Sequence, residues 1–116
     1  MNTRLGEFEQ LLLFALVRLG NETHGVALRR EIEARTKRTV SAGAVYTAME
    51  RLEARGFVSS TIGEPTPQRG GKRKKHYRLE KAGARALSRS YDSLREMAEG
   101  VLPKLAQAAS DEARPR

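Results

Sequence analysis

Ser41-Ala-Gly-Ala-Val-Tyr-Thr-Ala-Met-Glu-Arg-Leu-Glu-Ala-Arg-Gly56 is the stretch on which the reading of this chain turns. Val45, Ala48, Met49 and Leu52 recur at i, i+3, i+4 and i+7, which lays four apolar side chains along one helical face. Ser41 is a natural N-cap, and Val40 and Val45 stand at N′ and N4, where a hydrophobic staple forms. Gly56 supplies the left-handed residue that ends a helix. The first turns leave Ser41, Ala42, Gly43, Tyr46 and Thr47 pointing outward. These are small or hydrogen-bonding residues, with no acid before Glu50. A groove of DNA could accept that end.

Upstream, Leu5, Phe8, Leu12, Ala15, Leu16 and Leu19 form a wide helical stripe, and Leu11, Leu13, Phe14 and Val17 spread apolar surface onto the other sides. A helix apolar nearly all round must be covered nearly all round. Gly20-Asn21 ends it. Thr23 is the expected N-cap of a second helix from about His24 to Thr36, with Val26, Leu28 and Ile32 inward and Arg29, Arg30, Glu31, Glu33 and Arg35 outward. Two short helices joined tightly, the second capped and small-faced, form a helix-turn-helix pattern.

Downstream, Phe57-Val-Ser-Ser-Thr-Ile62 alternates as a strand does, and alternation resumes from Lys74 to Leu79. Between them Pro65, Pro67, Gly70 and Gly71 forbid regular structure. The expected result is a two-stranded hairpin carrying a long loop.

The 116 residues suit one small domain, and the net charge of +8 favours a polyanionic partner. The location of the charge makes the case: Arg69, Lys72, Arg73, Lys74, Lys75 and Arg78 crowd one segment free of acids, directly after the candidate recognition helix. A charge run is more often a solvated face. This one stands beside whatever the preceding helix touches, so phosphate is its natural counterpart. Double-stranded DNA is therefore the expected partner.

Other classes find little support. There is no cysteine, hence no disulfide framework or thiolate metal site. His76 has no ligand cluster beside it and His24 is far away in sequence, so no metal and no cofactor are expected. No paired carboxylates, nucleophile elbow or phosphate-cradling loop points to an enzyme; Gly70-Gly71-Lys72 lacks the context a P-loop needs. The greasiest run, Leu11 to Leu19, is too short for a bilayer and is broken by Arg18. No membrane association and a cytoplasmic location are expected.

The run Ser41-Ala-Gly-Ala-Val-Tyr46, then Arg51-Leu-Glu-Ala-Arg-Gly-Phe-Val58, then the glycine-rich basic segment from Gly63 to Leu79, resembles the PadR family of transcriptional regulators, in its short form with a single C-terminal helix. The resemblance covers roughly residues 5–105. It implies a mainly α fold with a small β-hairpin, a winged helix-turn-helix with a C-terminal dimerisation helix. It also implies a cytoplasmic homodimer that binds a pseudo-palindromic operator as a repressor. By position, Tyr46 matches the family's recognition-helix tyrosine, and Lys72 to Lys75 match its wing. Three residues depart from the family pattern: Val45 stands for Leu, His76 for an aromatic, and Glu80, a poorer N-cap, for Thr.

Leu87, Tyr91, Leu94, Ala98, Val101 and Leu105 alternate spacings of four and three, the seam of a coiled coil. Such a stripe can equally well pack on the chain's own first helix. Both stripes are too wide for one another alone, so a seam shared between subunits is favoured. The organisation expected is a DNA-binding domain over 1–80, a dimerisation helix over 81–109, and a disordered tail over 110–116. Gly100 weakens that helix, and Pro103 should kink or end it. A small apolar effector wedged between the seams, with Phe8, Leu12, Tyr91 and Leu94 as walls, would change the spacing of the recognition helices; the plainer reading of these residues is dimer core. Another class remains open: an adaptor whose basic wing docks an acidic protein.

Overall fold

Helix α3 (Ala42–Ala54) starts where the Ser41 hydroxyl oxygen accepts the Ala44 amide at 3.0 Å, and it stops at Gly56, whose φ is 79°. The Gly56 amide then donates to the Glu53 carbonyl at 3.0 Å and the Phe57 amide to the Leu52 carbonyl at 2.9 Å. This is the doubly bonded closure that a left-handed glycine permits. Val45, Ala48, Met49 and Leu52 are all buried, with Val40 beside them in the core.

The computed structural model describes residues 4–63 and 74–110. Around α3 stand α1 (Glu7–Leu19) and α2 (Gly25–Thr36), followed by strands β2 (Val58–Ile62) and β3 (Lys75–Leu79) and helices α4 (Lys81–Ala98) and α5 (Leu102–Ala109). Helix α1 is the hub, packing on α2, α3 and α4. Its buried residues are Leu12, Leu13, Ala15 and Leu16, whereas Leu19 is exposed. The wide stripe of the sequence thus settles with Leu13 in the core rather than Leu19.

The sheet differs from the expected hairpin. A short strand, β1 (Thr23–His24), pairs with β3 to give three strands in the order β1-β3-β2, all antiparallel. Thr23 is therefore not the cap of α2: it lies opposite Tyr77, its hydroxyl donates to the Gly20 carbonyl at 2.6 Å, and His24 takes the N-cap position. Val26 is exposed. Leu28 and Ile32 define the inner face of α2, and Val26 lies roughly 200° around the helix from Leu28.

Helix α4 is joined to the end of α3 through one peptide group. The Phe57 carbonyl accepts the Glu80 amide at 3.0 Å, and a side-chain carbon at Gly83 would overlap the same carbonyl oxygen. Glu80 gives α4 no side-chain cap; its carboxylate instead accepts the Ser59 hydroxyl at 2.6 Å. The expected single helix over 81–109 is in fact two. Gly100, at φ 72°, breaks it, and Pro103 opens α5 rather than ending α4. A proline lacking its amide hydrogen fits the first turn of a helix, where that donor would have no partner. Ser110 caps α5; the remainder of the expected tail lies outside the described residues.

Two consequences can be measured. Gly83→Ala should force α4 off the Phe57 turn and lower stability by about 1–3 kcal/mol, the usual cost of overpacking; urea denaturation reads this directly, and an unchanged midpoint would contradict the close approach. Burial, then the Glu53 carboxylate and nearby Tyr46 and Glu50, raise the Tyr77 phenol above its ordinary 10.0. The fold therefore favours the neutral phenol, and that contribution is complete below the unfolded pKa and is lost as pH rises through the folded one. Stability measured at increasing alkaline pH should decline more steeply in the wild-type chain than in Tyr77→Phe.

Candidate nucleic-acid interface

The starts of α2 and α3 converge on the first residues of β3 and enclose a groove of about 310 Å3. Val26, Val45 and Tyr77 give it apolar walls, and Arg29, Lys74 and Lys75 bring cations to it. Tyr46 and Ala42 form its α3 side. Ser41, Ala42, Gly43, Tyr46 and Thr47 are all exposed, as their outward positions required. A side-chain carbon at Gly43 would meet nothing within 4 Å, so open space lies in front of the helix there. The first turn of α3 holds no acid. Its free amides and the positive end of the helix dipole therefore face outward unopposed.

The cations expected to accompany this helix are placed unequally. Arg69, Lys72 and Arg73 lie outside the described residues. Lys74 precedes β3, and its carbonyl accepts the Gly63 amide at 2.8 Å. Lys75 places its Nζ 3.7 Å from Glu53 Oε1 and 5.7 Å from the centroid of the Tyr46 ring. Arg78, part of the same basic run, pairs instead with Glu22 at 2.7 Å.

Arg29 and Val26 line the groove, although the periodicity of α2 suggests a solvated place for the first and a core place for the second. They lie three residues apart on the helical face turned toward α3. What exposes that face is the long-range packing of α2, for which the local sequence carries no signal. His24 and His76, far apart in sequence, are opposite each other in the β1–β3 ladder with ring centroids 6.1 Å apart. Among the described residues they gather no third partner of the kind a metal site requires.

The second surface is on α4 and α5. Of the seam residues, Leu87 is buried in the chain's own core, because α4 begins its course packed on α1. Tyr91, Leu94, Val101 and Leu105 are exposed, Ala98 is half-buried, and Met97 and Leu102 extend the apolar surface. Within one chain, the four residues named as effector walls have different surroundings. Leu12 is fully buried and Phe8 is packed against the core. Tyr91 instead meets the Phe14 ring edge-on, centroids 6.0 Å apart, in a cleft of about 200 Å3 that also holds Val17, Leu79 and Leu87. On α1 it is Phe14 and Val17 that face this cleft, while Leu12 faces the centre of the core.

Among the described residues no helix is long and apolar enough to cross a membrane. The Transcriptional regulator PadR-like family model matches residues 12–89. A PadR family transcriptional regulator from Eggerthella lenta has a similar structure, with a TM-score of 0.66 and 26% identity over 85% of this chain and 86% of that one. A PadR-like transcriptional regulator from Bacillus cereus superposes with a TM-score of 0.66 at 20% identity, covering 86% of this chain and 91% of that one. A transcriptional regulator from Clostridium thermocellum gives 0.66 at 20% identity, over 80% and 87% of the two chains. No curated relative matches. The winged-helix architecture and the family match agree on a non-enzymatic regulator: the chain belongs to the PadR-like family of transcriptional regulators.

Proposed function

We propose that the chain acts in the cytoplasm as a homodimeric repressor that reads a pseudo-palindromic operator through the start of α3. The observation that carries this reading is the bare first turn of α3, exposed, acid-free and flanked by the cations of the groove. Small residues at Ala42 and Gly43 let the helix approach base edges, with Ser41, Tyr46 and Thr47 as hydrogen-bonding groups. Lys74 and Lys75, with Arg69, Lys72 and Arg73 in the segment between the strands, supply phosphate contacts that hold the helix in place without reading sequence. An acidic protein partner would match those cations equally well, but it would leave the small-residue face of α3 without a purpose.

The apolar surface of α4 and α5 supports the dimer. Leu94, Met97, Leu102 and Leu105 are each more than half exposed, an expensive arrangement for helices that face only water. A twin seated there would place the second α3 at a fixed distance, and two-fold recognition of successive major grooves requires about 34 Å. A small apolar effector in the Phe14–Tyr91 cleft would bear on the α1–α4 contact and thereby on that distance, shifting affinity by as much as it prefers one spacing over another.

Selection from a random DNA pool should return an inverted repeat whose half-sites are about one helical turn apart. Removing Lys74 and Arg73 together should weaken binding to every sequence and flatten its salt dependence, by about 0.9 in slope for each phosphate no longer neutralised. Ala42→Gln or Thr47→Ala should instead change which sequences are preferred; equal losses on all DNA from both sets would overturn the assignment of α3. Leu94→Glu combined with Met97→Glu should give monomers by sedimentation and reduce operator affinity by about a hundredfold or more, since half-site binding is no longer intramolecular.

A further inference from the structure

Of the two wing lysines among the described residues, Lys74 and Lys75, it is Lys75 that the fold already engages with a carboxylate. Glu53 Oε1 stands 3.7 Å from its Nζ, while Glu53 Oε2 accepts the Ser60 hydroxyl at 2.7 Å. Glu53 belongs to the last turn of α3, Ser60 to the middle of β2, and Lys75 opens β3. A single carboxylate thus ties the recognition helix to both strands. It also keeps the Lys75 ammonium beside Tyr46, at the wall of the groove where phosphate contacts are assigned. Lys74, one residue earlier, makes no ion pair among the described residues.

We infer that Glu53 is a built-in competitor of DNA phosphate for Lys75 and sets the ionic-strength range in which the DNA complex forms. The inference rests on the DNA-binding reading above. The pair is about one-third exposed on both sides, at 32% and 36%, and so is weak enough for a phosphate to displace. Displacement has two consequences. Lys75 gives up its carboxylate before it gains a phosphate, and Glu53 is left as an uncompensated negative charge near the DNA backbone. Both oppose binding, and neither depends on base sequence. Glu53 is therefore a positioning residue that lowers sequence-independent affinity, in contrast to the residues at the other end of α3 that read bases. Its hydrogen bond to Ser60 keeps the carboxylate at the strand junction, so the competition does not lapse when the lysine side chain moves.

The test is Glu53→Gln in the full chain, which keeps the side-chain length and an oxygen to accept the Ser60 hydroxyl. Affinity for both operator and mixed-sequence DNA should rise about two- to fivefold, the range that exposed ion pairs span. The slope of log K against log salt should steepen by up to about 0.9. In a Lys75→Met background the same substitution should give no gain, which isolates the pairwise interaction from the general field of a removed acid. Independently of how well Glu53→Gln folds, Lys75→Met alone should cost less affinity than Lys74→Met, because Lys75 enters the complex already paired. Unchanged or weaker binding by a Glu53→Gln protein with the wild-type melting temperature would overturn the inference. So would a gain that persists in Lys75→Met, or equal costs from the two lysine substitutions. A wild-type chain that binds no DNA at all would overturn the proposed function itself, an outcome distinct from any of these.

Discussion

Burial of Val45, Ala48, Met49 and Leu52 fixes the rotation of α3 about its own axis, and every other feature of the interface depends on that angle. A slip of one residue would turn the helix by about 100°. Val45 would then move toward water and Tyr46 toward the core. Each large apolar side chain withdrawn from the core costs about 1.5–3 kcal/mol. That sum exceeds what a wing lysine or a surface hydrogen bond can offer, so the face offered to a partner is set from inside the molecule. The Ser41 cap and the Gly56 closure fix the two ends of the helix as firmly as the core fixes its rotation.

The same closure carries the position of α3 to the rest of the chain. Phe57 follows Gly56 directly; its ring is buried beneath the Arg55 guanidinium, 4.7 Å from the centroid, and its carbonyl receives Glu80 and abuts Gly83. Only Arg55 and Gly56 separate the end of α3 from the Phe57 peptide that seats α4. The start of α4 is accordingly tied to the end of α3. Leu87 adds to this rigidity by joining the core, which moves the free apolar surface outward to Tyr91 and beyond. The Phe14–Tyr91 contact lies at the boundary between the part of α4 held by its own chain and the part left uncovered.

What the sequence made legible was local. Ser41, Gly56 and the four-residue apolar face of α3 each act within a few residues of themselves, and all three were readable. Strand β1 was not: two residues cannot display alternation, and Thr23 enters the sheet only because Tyr77, far along the chain, is opposite it. Val26 and Arg29 were hidden for the same reason, since the face of α2 turned toward α3 is a product of packing. In helix α1, apolar nearly all round, periodicity puts Leu19 in the stripe and Leu13 outside it, and tertiary packing reverses the two. Gly100 and Pro103 announced a break in the C-terminal helix, but a proline that ends one helix and a proline that opens the next look alike in sequence. The close approach at Gly83 carried no signal beyond a helical glycine between alanines.

Charge is where the gap between composition and structure matters most for function. The chain carries a net +8, yet many of its described cations are committed to partners: Arg35 to Glu31, Arg38 to Glu7, Arg55 to Glu9, and Arg78 to Glu22. These pairs are mostly exposed and contribute little stability. Their effect is on the field, since each cancels a cation locally and leaves the surplus of +8 to be carried elsewhere on the chain. The start of α3 is distinguished less by an abundance of cations than by where acids are missing. From Ser41 to Met49 there is no carboxylate, whereas Glu50 and Glu53 follow within the same helix. The first half of α3 thus carries no side-chain charge and has the positive end of the helix dipole to itself, whereas in the second half Glu50 and Glu53 stand among Arg51 and the adjoining Arg55.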